Sequence, residues 1–330
     1  MRSIDRIDQS NRGSTLESLD LRLLKVFDAI HRTGSVSKAA AEIGLTQPSL
    51  SIALGKLRRH FDDPLFVRTA AGMQPTPYAA ELIELVRDGL GKLEIALRHR
   101  PTFDPARADR RFTLCFTDIS QAVLMPRLFV HVKQAAPRVV FDILPISDRT
   151  PHLLQTGEAD LAIGFLPHIE AGFYQQTLFE QRFVCVARAD HPRLRSRITV
   201  KQYVAEEHIV VTASATGHWI LDRTLEQHGI RRKVALRLPD FLGLAPIVAA
   251  SDLLVTVPER LGEVMKQSGG VKTFAPPIPL PTYAVKQHWH ERYHHDPATR
   301  WLRGVFAELF ADRRARTAGR SADASMPRRV

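Results

Sequence analysis

The segment between residues 35 and 61 constrains the fold of this chain more than any other. It contains two stretches with apolar residues at helical spacing, and a glycine turn joins them. Ser35 is placed to cap a short first helix that ends at Gly44, and Thr46 is placed to cap the second. The second stripe consists of Leu50, Leu54, Leu57 and Phe61. A preceding helix, with apolar positions from Leu19 to Ile30, completes an order that is typical of the helix-turn-helix.

Two short extended segments follow these helices, at 65–69 and 73–75, and Gly72 lies between them. A glycine between two short strands is typical of a β-hairpin, which would form a wing beside the second helix. We therefore predict a winged helix-turn-helix domain over residues 19–77.

A long helix is predicted to begin at Thr76 and Pro77, which supply an N-cap and a first helical residue. Its apolar positions recur every three or four residues and are Ala79, Leu82, Val86, Leu90, Leu93 and Leu97. We expect this helix, over 78–100, to link two domains and to pair with its copy in a homodimer. The alternative is that the apolar stripe packs against its own domain.

Short apolar strands alternate with helical segments between residues 112 and 312, beyond a basic, proline-containing hinge at 101–111. This alternation is typical of an α/β domain with largely parallel sheets. We predict two α/β lobes, lobe I over 112–179 and 283–312 and lobe II over 180–282, which face each other across a cleft. Ligands commonly bind in such a cleft, at the ends of the strands.

The net charge of +11 and the isoelectric point of about 10.0 favour a polyanionic partner. Part of that charge comes from residues 313–330, which we predict to be a basic disordered tail, and we predict a flexible extension over 1–18. The chain has no apolar segment of membrane-spanning length and no signal-peptide core, so we expect a cytoplasmic protein. No enzyme motif or metal-ligand cluster stands out, and we expect neither catalysis nor a metal or cofactor.

The segment Ser35–Ser51, together with Asp63–Arg68, resembles the LysR family of transcription regulators. Asp63–Arg68 followed by Gly72–Ala80 resembles the NahR-like branch of that family, whose members respond to salicylate and related aromatic compounds. The resemblance extends over residues 19–312 and implies a C-terminal sensor with a periplasmic-binding-protein-like fold. It also implies an activator, assembled as a homodimer or homotetramer, that binds double-stranded promoter DNA, contacts RNA polymerase and responds to an aromatic carboxylate or related aromatic compound.

Candidate DNA contacts cluster around the second helix of the motif and the wing. They are Ser35, Thr46, Gln47, Pro48, Ser49, Ser51, Lys56, Arg58 and Arg68. Gln47 and Ser51 lie on the face opposite the leucine stripe, where side chains of these types bond base edges. Lys56, Arg58 and Arg68 suit contacts to phosphate, which position the protein rather than specify sequence.

Candidate effector contacts come from the resemblance. They are Thr117, Asp118, Ile119, Pro167, Gln181, His218, Arg260 and Val285. Residues 117–119 end the first strand of the sensor, where backbone N–H groups at a helix start could hold an anion. Arg260 is the expected counter-charge to a carboxylate, with a structural salt bridge as its competing role. For His218, a packed core histidine competes with a ligand contact.

Two other functions remain open at this stage. Cys115 and Cys185 could make the chain a redox-sensing regulator, although their apolar strands favour buried and inert thiols. The two-lobed domain alone would also suit a non-regulatory solute-binding protein, but the helix-turn-helix argues against that function.

Overall fold

A computed structural model of the chain describes residues 20–167, 169, 171–212 and 217–312. The chain divides into two compact units between Arg100 and Pro101. The predicted N-terminal extension (1–18) and the predicted basic tail (313–330) lie outside the described residues, as does Leu19 of the first predicted helix.

The first unit is a winged helix-turn-helix, as predicted. Its elements are α1 (Leu21–Thr33), α2 (Val36–Glu42), α3 (Gln47–Phe61), β1 (Phe66–Thr69), β2 (Gly72–Pro75) and α4 (Pro77–Arg98). The predicted caps are present, because Ser35, Thr46 and Thr76 each accept a hydrogen bond from a backbone N–H in the first turn of the helix that follows. The apolar stripe of α3 faces the core of this unit, where Leu50 and Leu57 are fully buried, and α3 packs on α1 and α2.

The wing is held close to the end of α1 by two glycines. β1 and β2 pair antiparallel from Phe66 opposite Pro75 to Thr69 opposite Gly72. Gly72 has a φ of +104°, and a Cβ at this position would lie only 2.6 Å from the Gly34 carbonyl oxygen. A side chain here would therefore push the wing away from the helices.

The second unit contains two lobes, each built on a five-stranded sheet. The strands of lobe I run in the order β4-β3-β5-β12-β6, and those of lobe II in the order β11-β7-β10-β8-β9. The lobe I elements are β3 (Arg111–Phe116), α5 (Asp118–Ala135), β4 (Val140–Pro145), α6 (Thr150–Thr156), β5 (Leu161–Gly164), β6 (Phe173–Gln181), β12 (Tyr283–His290) and α11 (Pro297–Phe310). The lobe II elements are β7 (Phe183–Arg188), α7 (Val200–Ala205), β8 (Glu207–Val211), α8 (His218–Gln227), β9 (Lys233–Leu238), α9 (Leu244–Ala249), β10 (Leu254–Pro258), α10 (Glu259–Gln267) and β11 (Val271–Phe274).

The sheets are mixed, so the expectation of largely parallel sheets is wrong. β12 runs antiparallel to both β5 and β6, and β7 runs antiparallel to both β10 and β11. The remaining pairs are parallel. The antiparallel pairs arise where the chain crosses between lobes, because a strand that enters a sheet after such a crossing need not follow the β-α-β rule.

Two crossings connect the lobes. One is the single residue Arg182 between β6 and β7, and the other is the proline-rich segment 275–282 between β11 and β12. Proline fixes φ, so the second crossing has less backbone freedom than other segments of its length.

Candidate functional sites

The exposed face of α3 carries most of the predicted DNA contacts. Exposed residues are Thr46, Gln47, Pro48, Ser49, Ser51, Lys56 and, in the wing, Arg68. Ser35 is partly buried and caps α2, accepting from the Lys38 N–H at 3.4 Å. Thr46 similarly caps α3, and its hydroxyl also lies 2.8 Å from that of Ser49. Two of the predicted contacts thus also stabilise helix starts.

Arg58 has a structural role that the sequence analysis did not foresee. Its Nε donates to the Pro64 carbonyl at 2.7 Å, and its Nη2 donates to the Phe66 carbonyl at 2.8 Å. The guanidinium therefore fastens α3 to the start of the wing. Arg59, by contrast, is exposed and has no hydrogen bond or ion pair in the described part of the chain. Lys56 is likewise exposed and without a hydrogen bond or ion pair among the described residues.

Gln47, the first residue of α3, is bonded to α2. The Ser37 hydroxyl donates to Gln47 Oε1 at 3.0 Å, and both side chains are exposed. The amide oxygen is thus anchored between the two helices, while the amide nitrogen has no bond among the described residues.

A cavity in the second unit lies among α5 and the lobe I strands β5, β6 and β12. It is lined by Thr117, Ile119, Ser120, Val123, Leu124, Gly164, Phe165, Phe179, Gln181, Tyr283 and Val285. Four predicted effector contacts are in this lining: Thr117, Ile119, Gln181 and Val285. None of the lining side chains carries a charge at neutral pH.

The start of α5 does not offer the free anion-binding amides that the sequence analysis expected. Thr117 caps the helix and accepts from the Ser120 N–H at 3.0 Å, while Asp118 accepts from the Ile119 N–H at 2.9 Å. The other carboxylate oxygen of Asp118 accepts from the Phe241 N–H of lobe II at 2.6 Å. Asp118 is therefore a tie between the lobes, and its negative charge opposes an anion beside it.

Besides Asp118, three predicted effector contacts lie outside the cavity lining. Pro167 is exposed on a turn after β5. His218, at the start of α8, is buried, with its ring centroid 5.8 Å from that of Phe183 and 5.1 Å from that of Phe241. This packing corresponds to the competing role of a core histidine.

Arg260 is the third of these residues. Its guanidinium lies 3.6 Å from the ring centroid of Phe179, and its Nη2 donates to Asp312 at 3.3 Å. Burial lowers the pKa of Arg260, and the Asp312 carboxylate acts in the opposite direction. The structure gives Arg260 the competing role, a salt bridge between α10 and the residues that follow α11.

The aromatic part of the lining was not predicted. Phe165, Phe179 and Tyr283 face the cavity, and nothing in their strands distinguishes them from ordinary core aromatics. Burial raises the pKa of Tyr283, and its hydroxyl has no hydrogen bond in the described part of the chain. An unbonded hydroxyl in the cavity lining is a group to which a ligand could form a hydrogen bond.

Lobe II contacts the same aromatic residues. The Trp219 ring stacks on Phe165, with centroids 6.4 Å apart and an interplanar angle of 26°. A Cβ added at Gly217 would lie 3.0 Å from the Tyr283 ring. The first turn of α8 therefore covers the aromatic wall of the cavity.

The two cysteines lie in different sheets and do not form a redox pair. Cys115 in β3 and Cys185 in β7 are both fully buried. Burial raises the pKa of Cys115 to about 11 and that of Cys185 to about 12. Because the thiolate is the reactive form, the redox-sensing alternative is not favoured.

The described ranges offer neither a metal site nor a membrane-spanning helix. Within them, no group of three His, Cys, Asp or Glu side chains could hold a metal ion. Nor does any helix in that part of the chain have both the length and the apolarity needed to span a membrane.

Comparison with known proteins agrees with both units. Residues 21–80 match the bacterial regulatory helix-turn-helix family of LysR type, and residues 105–311 match the LysR substrate binding domain. The HTH-type transcriptional activators NagR of Ralstonia sp. and NahR of Pseudomonas putida are each 41% identical over 298 residues, covering 90% of this chain and 99% of the relative. The crystal structure of a probable transcriptional regulator from Pseudomonas aeruginosa is 33% identical, with a TM-score of 0.58, and covers 90% of this chain and 99% of that one. The chain belongs to the LysR family of helix-turn-helix transcription regulators.

Proposed function

We propose that this regulator binds promoter DNA through α3 and the wing, and activates transcription in response to a small aromatic effector that enters the lobe I cavity. The observation that carries the effector half is the cavity wall itself, in which Phe165, Phe179 and Tyr283 line one space. Offset or edge contacts with three aromatic rings favour an aromatic ligand over an aliphatic one of similar size. The relatives NagR and NahR are activators, which supports the direction of the response.

The cavity is too small for an aromatic ligand, so we expect ligand binding to require movement of the lobes. Its volume is about 30 Å³, which is room for one or two water molecules. A benzene-sized ligand needs about 150 Å³. Trp219 stacks on Phe165, and Gly217 lies close to the Tyr283 ring, so the first turn of α8 is the neighbour that an enlarged cavity would meet. An aromatic effector therefore binds by displacing the first turn of α8, and this displacement is the switch between two arrangements of the lobes.

The polar groups of the cavity favour recognition by neutral hydrogen bonds. Tyr283 offers an unbonded hydroxyl, and the buried Gln181 amide donates to the Arg182 carbonyl at 3.1 Å, which leaves its oxygen available. A carboxylate in this lining would lose its hydration without gaining a counter-charge, because Arg260 is paired with Asp312. We therefore propose an effector whose hydroxyl or amide group binds there, rather than one held by an ion pair.

Calorimetric titration of the full chain with salicylate and with salicylamide tests this proposal, because the two ligands have similar shape and differ in charge. We expect salicylamide to bind at least as tightly as salicylate. Tyr283→Phe, which removes only the hydroxyl, should weaken binding by roughly five- to tenfold. Arg260→Met removes the guanidinium over Phe179 and its charge but keeps an unbranched side chain at this position, and it should leave the affinity unchanged.

The opposite pattern would restore Arg260 as the counter-charge. In that case salicylate alone binds, and Arg260→Met abolishes its binding while Tyr283→Phe does not. If neither ligand binds and neither alters operator binding in a gel-shift titration, the cavity is not a site for this class of aromatic compound.

The long helix α4 offers a surface through which two copies of the chain could associate. The first half of α4 packs on its own unit, where Ile83 and Val86 are buried and Arg87 donates to Asp28 at 2.7 Å. The second half exposes Leu93, Ile95 and Leu97, the last of these to 76%. We propose that this second half pairs with its copy in a homodimer and that two dimers form a tetramer. We further propose that this assembly binds promoter DNA in the cytoplasm and contacts RNA polymerase.

A further inference from the structure

The bond between α2 and the first residue of α3 determines what Gln47 presents to solvent. The Ser37 hydroxyl donates to Gln47 Oε1 at 3.0 Å. That hydroxyl makes no other hydrogen bond in the described part of the chain, and the nearby Ser49 hydroxyl is already bonded to Thr46. The amide oxygen is therefore anchored towards α2, and the outward end of the amide is the nitrogen with its two N–H groups.

We propose that Ser37 sets the base preference of this regulator by fixing Gln47 as a hydrogen-bond donor. The proposal rests on the DNA binding by α3 proposed above. A freely rotating glutamine pairs with adenine, because its oxygen accepts from the adenine N6 amino group while its nitrogen donates to N7. With one lone pair of Oε1 occupied by Ser37 and the amide plane held, the donors face the groove and the acceptor does not.

Donors in the major groove select the base edges that carry acceptors. Guanine presents two acceptors there, O6 and N7, whereas cytosine presents an amino donor and no partner for an N–H. Adenine and thymine each offer one acceptor. The expected order at the position read by Gln47 is therefore guanine first and cytosine last.

The anchoring also favours affinity for a physical reason that is separate from base choice. Glutamine has a flexible side chain whose immobilisation opposes binding. Because Ser37 holds the Gln47 side chain before DNA arrives, less freedom is lost when the contact forms.

Selection of binding sites from a randomised DNA library tests the assignment, using the full chain and three variants. The wild-type chain should prefer guanine to cytosine by about tenfold or more at one position in each half-site. Gln47→Ala should remove that preference. Ser37→Ala should bring the guanine-to-adenine ratio close to one by freeing the amide, and Ser37→Thr, which keeps a hydroxyl, should retain the wild-type preference.

We expect the Ser37→Ala variant to fold like the wild type, so a changed base preference would not reflect misfolding. Ser37 is exposed near the start of α2, and alanine is a good helix former, so Ser37→Ala should have the circular dichroism and thermal midpoint of the wild type. A preference for adenine or cytosine at the Gln47-dependent position would overturn the inference, as would an unchanged preference in Ser37→Ala. Equal weakening of every sequence by Gln47→Ala would show a phosphate contact instead. A wild-type chain that enriches no sequence would refute the proposed DNA binding itself.

Discussion

Substitution of Arg58 should reduce the stability of the wing, whereas substitution of its neighbour Arg59 should reduce the affinity for DNA. Arg58 donates to the carbonyls of Pro64 and Phe66, whereas Arg59 is exposed and unbonded among the described residues. Replacing each in turn by alanine removes the same side chain from adjacent positions of α3. Only the first replacement removes contacts that hold the wing.

The expected loss in Arg58→Ala follows from the two bonds. A hydrogen bond from a charged donor contributes about 1.5–3 kcal/mol net when it is shielded from water. The bond to Pro64 is exposed, so water can replace it, whereas the bond to Phe66 is partly buried. We therefore expect the free energy of opening the wing to fall by about 2 kcal/mol, which corresponds to roughly thirtyfold faster amide exchange in β1 and β2.

Hydrogen exchange on the full chain measures this opening, and filter binding over a range of salt concentrations measures the DNA contact. Arg59→Ala should leave exchange in the wing unchanged and reduce the slope of log affinity against log salt by about one. If Arg58→Ala left wing exchange at the wild-type rate, the two bonds would have no stabilising role. If Arg59→Ala left the salt slope unchanged, Arg59 would not contact phosphate.

Three further outcomes are expected. Asp118→Ala removes the acceptor for the Phe241 N–H and so one hydrogen bond between the lobes. Stopped-flow association with salicylamide should therefore become faster. An unchanged rate would show that this hydrogen bond does not limit the opening of the lobes. Leu97→Asp places a charge on the exposed half of α4, so sedimentation velocity should show a smaller species with unchanged circular dichroism, and an intact oligomer would reject this surface as the dimer contact. Burial lowers the pKa of His208 and of His288 to about 4, so the unfolded chain binds protons first as the pH falls below about 6.5. The free energy of unfolding should therefore decrease between about pH 6.5 and pH 4, and equal urea midpoints at pH 7.5 and pH 5 would contradict the buried neutral histidines.

Local signals predicted the first unit well. The caps Ser35, Thr46 and Thr76 and the leucine stripe of α3 act within one or two helical turns, so sequence spacing alone identifies them. The long helix was also predicted, but its division into a half packed on its own unit and an exposed half depends on where α1 lies. Tertiary contacts join residues at variable distances along the chain, so the sequence contains no fixed spacing that predicts them, as it does for helix caps.

The second unit was predicted less completely. The sequence predicts the alternation of strands and helices and the bounds of the lobes, but β6, α7, α10 and β11 have no clear local pattern, because short or polar elements there are stabilised by neighbours distant in sequence. The edge strand β6 pairs only with β12, although more than a hundred residues separate them in the chain.

The candidate effector site shows the same limit. The resemblance singled out Thr117, Ile119, Gln181 and Val285, which line the cavity, but Phe165, Phe179 and Tyr283 carry no distinguishing local pattern. The pairing of Arg260 with Asp312 joins residues from separate segments, so the sequence alone could not decide between a counter-charge and a structural salt bridge.

The position of β12 between β5 and β6 has a consequence for how the chain is made. β5 is buried along its whole length in the finished protein, yet its partner β12 is synthesised only after all of lobe II. During synthesis, lobe II can close on itself as soon as Phe274 has left the ribosome, while lobe I keeps an apolar strand with an open edge. At 5–20 residues per second, roughly, that edge stays available to other nascent chains for several seconds. Lobe I is therefore the part of this protein whose sheet stays incomplete longest during synthesis, until its last strand arrives.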